Sequence, residues 1–155
     1  MNPKKILKSI ITRPEFAALA IFFIIAIIFY IINDRFLSVR NLRVLFTISP
    51  EIALIAMGVI ILMVSGEFDL SVGSVFALSG VVMVTLTNEG INPWVSITIS
   101  LIICLFIGYV NSFITLRFGI PSFIATLGTM FMVRSLAIVV VKAEFPVFPL
   151  EAMEW

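Results

Sequence analysis

The sequence predicts an all-α fold, a polytopic transmembrane helix bundle of about five hydrophobic segments with a broken or re-entrant region around residues 65–74. Three observations carry that prediction. First, 61% of the 155 residues are hydrophobic and mean hydropathy is +1.22, whereas only 12% are charged, far below the roughly one quarter of soluble domains. Second, apolar runs long enough to cross a bilayer alternate with short polar turns. Third, residues 66–74 place Glu67 and Asp69, with Gly66 and Gly73, between two such runs. Lipid offers no hydrogen-bond partners, so charged, irregular backbone persists only at the membrane surface, inside a bundle or along a water-filled path.

Composition also narrows the function. A net charge of +1 gives no global pull toward nucleic acid or anionic lipid. The chain has no histidine, the commonest general base and metal ligand, and no catalytic or metal site is predicted. The single cysteine, Cys104, sits in an aliphatic run and reads as a small packing residue.

The first segment spans residues 16–32, behind a leader over 1–15 with Lys4, Lys5, Lys8 and Arg13 that reads as cytoplasmic. Its far end has no small-residue cleavage site, so it is expected to remain as an anchor. In the linker over 33–43, Ser38 is placed to cap a short interfacial turn, with Phe36 and Leu37 dipping inward. The second segment, 44–64, contains Pro50 beside Glu51. Proline removes a backbone donor, so this helix is expected to kink or to begin afresh near Ser49.

The third segment, 72–87, is short of the roughly 20 residues of a full span. It is expected either to begin inside the bundle, with Asp69 or Ser71 as a buried N-cap, or to carry its polar flank into the headgroups. A turn over 88–93 leads to Trp94, an interfacial anchor opening the fourth segment, 94–116. There Ser96, Ser100, Cys104, Gly108 and Ser112 recur every four positions and read as a packing seam. Asn111 flanks the stripe and is expected to line a cavity or to bond a neighbouring helix. Pro121 and Ser122 make a turn, with Ser122 capping a fifth segment over 123–141. On that segment Ser122, Thr126 and Thr129 share one sector. Arg134 needs a partner within the bundle or snorkels to an interface. A tail over 142–155 follows. The positive-inside rule is met by the leader and Arg117, whereas Arg35, Arg40 and Arg43 oppose it unless part of the chain is interfacial or re-entrant.

Four motifs then agree in order and spacing with one family. Residues 56–58 (Ala-Met-Gly), 65–74 (Ser-Gly-Glu-Phe-Asp-Leu-Ser-Val-Gly-Ser), 108–111 (Gly-Tyr-Val-Asn) and 120–130 (Ile-Pro-Ser-Phe-Ile-Ala-Thr-Leu-Gly-Thr-Met) resemble the membrane permeases of ribose-type ABC sugar importers. Typical members carry a glycine and an aliphatic residue at Glu67 and Phe68, and a glycine at Ser112. The resemblance implies a partial permease domain, similar to the N-terminal half of a multi-pass protein of the bacterial or archaeal cell membrane. Its implied partners are a separate ABC ATPase subunit that binds ATP, an extracytoplasmic sugar-binding protein, a second permease copy and membrane lipid. The chain has no phosphate-cradling glycine-rich loop, and no cofactor of its own is expected. A hydroxyl-rich sugar needs hydrogen-bonding groups along its path, and Asn111, Thr126 and Thr129 are the candidates. Asp69 reads as a helix cap, Ser71 as its neighbour, and Gly66, Gly73 and Gly128 as positions permitting turns or close packing. The competing readings are a stand-alone channel or regulatory bundle and a nonfunctional truncated remnant.

Overall fold

The computed structural model of the chain describes residues 14–141 and residue 147. Five helices lie within them: α1 (Pro14–Ile32), α2 (Val39–Val64), α3 (Val72–Asn88), α4 (Pro93–Phe118) and α5 (Ser122–Val141). Among the described residues there is no strand. Helices α1, α2, α4 and α5 are long and apolar enough to cross a membrane, whereas α3 is shorter. The polytopic helical class follows. The leader expected over 1–15 lies outside the described residues except for Pro14 and Glu15, which already belong to α1, and the tail over 142–155 lies outside except for Val147.

The chain divides into two compact units, Met1–Leu54 and Ile55–Trp155. In the first, α1 opens with Pro14 and Glu15; proline's fixed φ suits the first helical position and a carboxylate there favours the helix dipole. The linker is tighter than expected. Asn33 Oδ1 accepts from Arg35 N at 2.9 Å, and the Phe36 ring stacks on Phe29 with centroids 5.8 Å apart. Ser38 Oγ accepts from Asn41 N at 3.3 Å, so Ser38 is a cap as predicted. The helix it opens is α2 itself, beginning at Val39 rather than 44, with Arg40 and Arg43 in its first turns.

Helix α2 also runs through Pro50 without the fresh start expected near Ser49. Nearby hydroxyls turn back onto the helix instead. Thr47 Oγ1 donates to Arg43 O at 2.9 Å and Ser49 Oγ to Leu45 O at 2.6 Å, a bonding mode that lets polar side chains satisfy themselves within an apolar helix.

In the second unit, α2 stops at a left-handed glycine. Gly66 has φ 82°; Gly66 N donates to Met63 O at 3.0 Å and Glu67 N to Leu62 O at 3.2 Å, which is the Schellman arrangement that satisfies end carbonyls. Helix α3 is central and packs on both α4 and α5, which touch each other less. Leu78, Val133 and Ala137 form the core, with Val75, Val82, Ile103 and Ile107 packed against it. Asn92 Oδ1 accepts from Trp94 N at 2.9 Å to cap α4, with Pro93 next in line, and Gly119 closes that helix at φ 67°.

The seam on α4 differs from the expected stripe. Ser96, Ser100 and Asn111 are buried, and Ile103 and Ile107 lie partly buried between them, while Gly108 and Ser112 are exposed. At 3.6 residues per turn, a repeat of four drifts about 40° per step. Over four steps the stripe leaves the seam, and Asn111 takes the place assigned to Ser112.

Candidate functional site: a polar seam and the cavity beside it

Between α2 and α3 the chain is not helical from residue 67 to residue 71, so its backbone groups need partners from elsewhere. Helix α5 supplies them. Ser122 Oγ accepts from Phe68 N at 3.1 Å, and Thr126 Oγ1 accepts from Leu70 N at 3.1 Å. The Thr126 hydroxyl donates to its own helix at Ser122 O, 2.7 Å away. Two hydroxyls one turn apart on α5 therefore hold this non-helical strip of backbone against the helix.

A second chain of bonds ties the strip to α4. Asp69 Oδ1 accepts from Ser71 N at 2.7 Å and from Ser71 Oγ at 2.6 Å. Asn111 Nδ2 donates to Ser71 Oγ at 3.1 Å, and Thr129 Oγ1 donates to Asn111 Oδ1 at 2.6 Å. The sequence Asp69, Ser71, Asn111, Thr129 thus links the break, α4 and α5. Ser71 is fully buried, and Asn111, Thr126 and Thr129 are at most 6% exposed. Among the described residues no buried side-chain nitrogen or oxygen lacks a partner. A satisfied network of this kind rigidifies the bundle, because in low dielectric each missing partner is expensive.

Asn111 lies seven residues before the end of α4, about 10 Å along the helix axis. Its bond to Ser71 therefore places the start of α3 inside the bundle. That is the first of the two expected arrangements, and it explains how a 17-residue helix is accommodated.

Several expected roles are corrected. Asp69 does not cap α3 by reaching into its first turn. Ser71 is the N-cap residue, in a helical conformation and without a side-chain capping bond, while Asp69 closes the turn before it. The reason is local: a carboxylate two residues upstream reaches the Ser71 amide directly. Ser122 does not cap α5 with its hydroxyl, which is spent on Phe68. The Pro121 carbonyl takes the cap position, accepting from Ile124 N at 2.9 Å and Ala125 N at 3.1 Å. Gly73 and Gly128 are neither turns nor close contacts here, since a Cβ added at either meets nothing within 4 Å.

A cavity of about 250 Å³ lies on one side of the network, walled by Asp69, Ser71, Ser79, Cys104 and Gly108, with Val72, Val75 and Phe76 among its apolar residues. Asn111, Thr126 and Thr129 stand in the seam, not on this wall. Each finds a neighbouring helix or backbone group to bond, which satisfies it at lower cost than facing an apolar pocket. Asp69 is half-buried, and among the described residues its hydrogen bonds all run through Oδ1. Sequence reasoning missed Ser79. Its carbonyl accepts from Ser100 Oγ at 2.8 Å, and only its place within an apolar run marks it in sequence.

Residues 41–146 match the family described as branched-chain amino acid transport system / permease component. Among curated proteins, the chain is similar to the xylose/arabinose import permease protein XylH of Sulfolobus acidocaldarius, 31% identical over 138 residues, which cover 84% of this chain and 39% of that protein. It is also similar to the autoinducer 2 import system permease protein LsrC of Photorhabdus luminescens, 27% identical over 139 residues, which cover 90% of this chain and 42% of that protein. The chain therefore spans about two fifths of the length of these relatives. No solved structure matches. With the helical break, the polar seam and most of the chain inside the matched region, this multi-pass membrane chain belongs to the branched-chain amino acid transport system / permease component family.

Proposed function

We propose that the chain forms part of the translocation path of an ABC-type importer for a small hydroxylated solute, a ribose-like monosaccharide of the pentose class. The observation that carries this is the cavity beside the helix break, where Asp69, Ser71 and Ser79 bring polar groups to the wall of one space inside an apolar bundle. A polyol exchanges its water for such groups, and broken helices are where membrane transporters present them. At about 250 Å³ the space is at the small end for ligand pockets. The relative named for xylose/arabinose import supports the same class.

In this reading Asn111, Thr126 and Thr129 serve the path from behind. They hold residues 68–71 in the geometry that sets Asp69 beside the solute. The chain is non-catalytic. A separate ATPase subunit supplies the energy, an extracytoplasmic binding protein delivers the solute, a second copy completes the membrane unit, and the N-terminus is cytoplasmic.

The test is uptake in proteoliposomes holding the intact permease, its ATPase and the binding protein. Labelled pentose is expected to accumulate only with ATP and an active ATPase. Pentose uptake that persists after the ATPase is inactivated, or accumulation of a branched-chain amino acid in place of sugar, contradicts the reading.

A further inference from the structure

The turn between α1 and α2, which lies within the first unit, concentrates positive charge. Arg35, Arg40 and Arg43 fall within nine residues, against the single carboxylate of Asp34. All three arginines are exposed, and none forms an ion pair among the described residues. The only acidic residue of α2, Glu51, is eight positions beyond Arg43, about 12 Å further along the helix. None of the three takes part in the polar seam or lines the cavity beside it.

The backbone that carries them is tightly bonded. Asn41 clamps the turn from within α2: its Nδ2 donates to Phe36 O at 2.6 Å and its amide to Ser38 Oγ at 3.3 Å. Ser38 N donates to Arg35 O at 3.0 Å, which sets Arg35 one turn before the cap. Arg40 and Arg43, three positions apart in the first turns of α2, are neighbours on the helix surface with Cβ atoms about 5–6 Å apart. Guanidinium forks at that spacing suit the oxygens of one phosphate, and the positive end of the α2 dipole adds to the attraction.

Two observations favour a lipid phosphate over a soluble one. Helices α1 and α2 are each long and apolar enough to cross a bilayer, so the turn joining them comes to the bilayer surface, at the depth of the headgroups. Leu37 and Val39, which stand between Arg35 and Arg40, are 54% and 74% exposed. Acyl chains just below the phosphates cover such side chains, whereas a dissolved anion leaves them wet. We propose that this turn binds the phosphate headgroup of an anionic phospholipid through Arg35, Arg40 and Arg43, with Leu37 and Val39 against the upper part of its acyl chains. The site is separate from the transport reading and does not rest on it.

Lipid selection by the full chain tests it. In nanodiscs holding equal amounts of phosphatidylglycerol and phosphatidylcholine, native mass spectrometry counts the lipids that stay bound. Phosphatidylglycerol is expected to be retained about threefold or more over phosphatidylcholine. The variant R35Q/R40Q/R43Q is expected to lose that preference, and R35K/R40K/R43K, which keeps the charge, to retain it in part. Replacing Lys4, Lys5, Lys8 and Arg13 of the leader by glutamine is expected to leave it intact. Equal retention of the two lipids by the unaltered chain overturns the proposal, as does a preference that follows the leader and survives in the turn variant. A preference that millimolar inorganic phosphate abolishes as fully as the glutamine changes marks a site for soluble anions, and also overturns it. If the glutamine variant fails to insert, the unaltered chain gives the answer by itself. A phosphatidylglycerol with a photoreactive headgroup is expected to cross-link within residues 33–43, and cross-links confined to other residues refute the site. Lipid selection without sugar uptake leaves this inference standing while the transport reading fails.

Discussion

Helix α1 is the most apolar of the four candidate spans and α2 matches α4, yet neither α1 nor α2 buries a residue of its spanning window, whereas α5, the least apolar of the four, buries the largest share. The contrast shows what packs helices in lipid. Aliphatic surface is as comfortable against acyl chains as against protein, so apolarity alone gives helices no reason to associate. Association in the second unit comes instead from polar side chains that bond across elements: Ser100 on α4, Thr126 and Thr129 on α5, and Ser71 before α3, all buried. Residues that look like breaches in the hydrophobic pattern are the ones that fix the bundle.

Asn111→Leu gives the sharpest form of that contrast, because it removes both bonds joining Ser71 to Thr129 and leaves their hydroxyls without those partners. A loss of about 1–3 kcal/mol is expected in reversible unfolding from mixed micelles. Ile24→Ala, in the exposed α1, is expected to change stability by less than about 0.5 kcal/mol. Comparable losses at the two sites would break the comparison.

Asp69→Ala comes next. It deletes an acceptor serving both the amide and the hydroxyl of Ser71, for an expected loss of about 1–2 kcal/mol. Asp69→Asn keeps an acceptor and should retain most of that stability. Uptake separates the two roles: if Asp69→Asn is stable and abundant but transports poorly, the carboxylate acts on solute as well as on the turn. Gly66→Ala follows, forcing a Cβ onto a residue at φ 82°, with an expected loss of about 1 kcal/mol. At Gly73 the same change meets open space; in an otherwise helical position it is expected to be neutral or to stabilise by up to about 1 kcal/mol.

Much of this was legible because it is local. The five segments, the break around 65–74, the Ser38 cap and the glycine at the end of α2 follow from run length, capping residues and turn chemistry within a few positions. The shared sector of Thr126 and Thr129 was also readable from helical spacing. What remained hidden depends on distance along the chain. The bonds from Phe68 to Ser122 and from Leu70 to Thr126 join residues 54 and 56 positions apart, and no local pattern shows that Ser122 spends its hydroxyl on another element. The α4 stripe misled because four is close to 3.6 without equalling it. Asn111 was visible as a polar interruption, but whether it faces a cavity or a neighbouring helix is decided by Ser71, 40 residues away.

The central claim is that residues of the seam hold the bundle while residues of the cavity wall meet solute. Single cysteines at Ser79, Gly108, Asn111 and Thr129, in a Cys104→Ser background of the assembled importer, test it through their reaction with a small water-soluble thiol reagent. The cysteines at 79 and 108 are expected to react, and added pentose to slow them severalfold, while those at 111 and 129 stay at least tenfold less reactive. Fast, sugar-protected labelling at 111 and 129 with inert positions at 79 and 108 would place the solute in the seam and contradict the assignment.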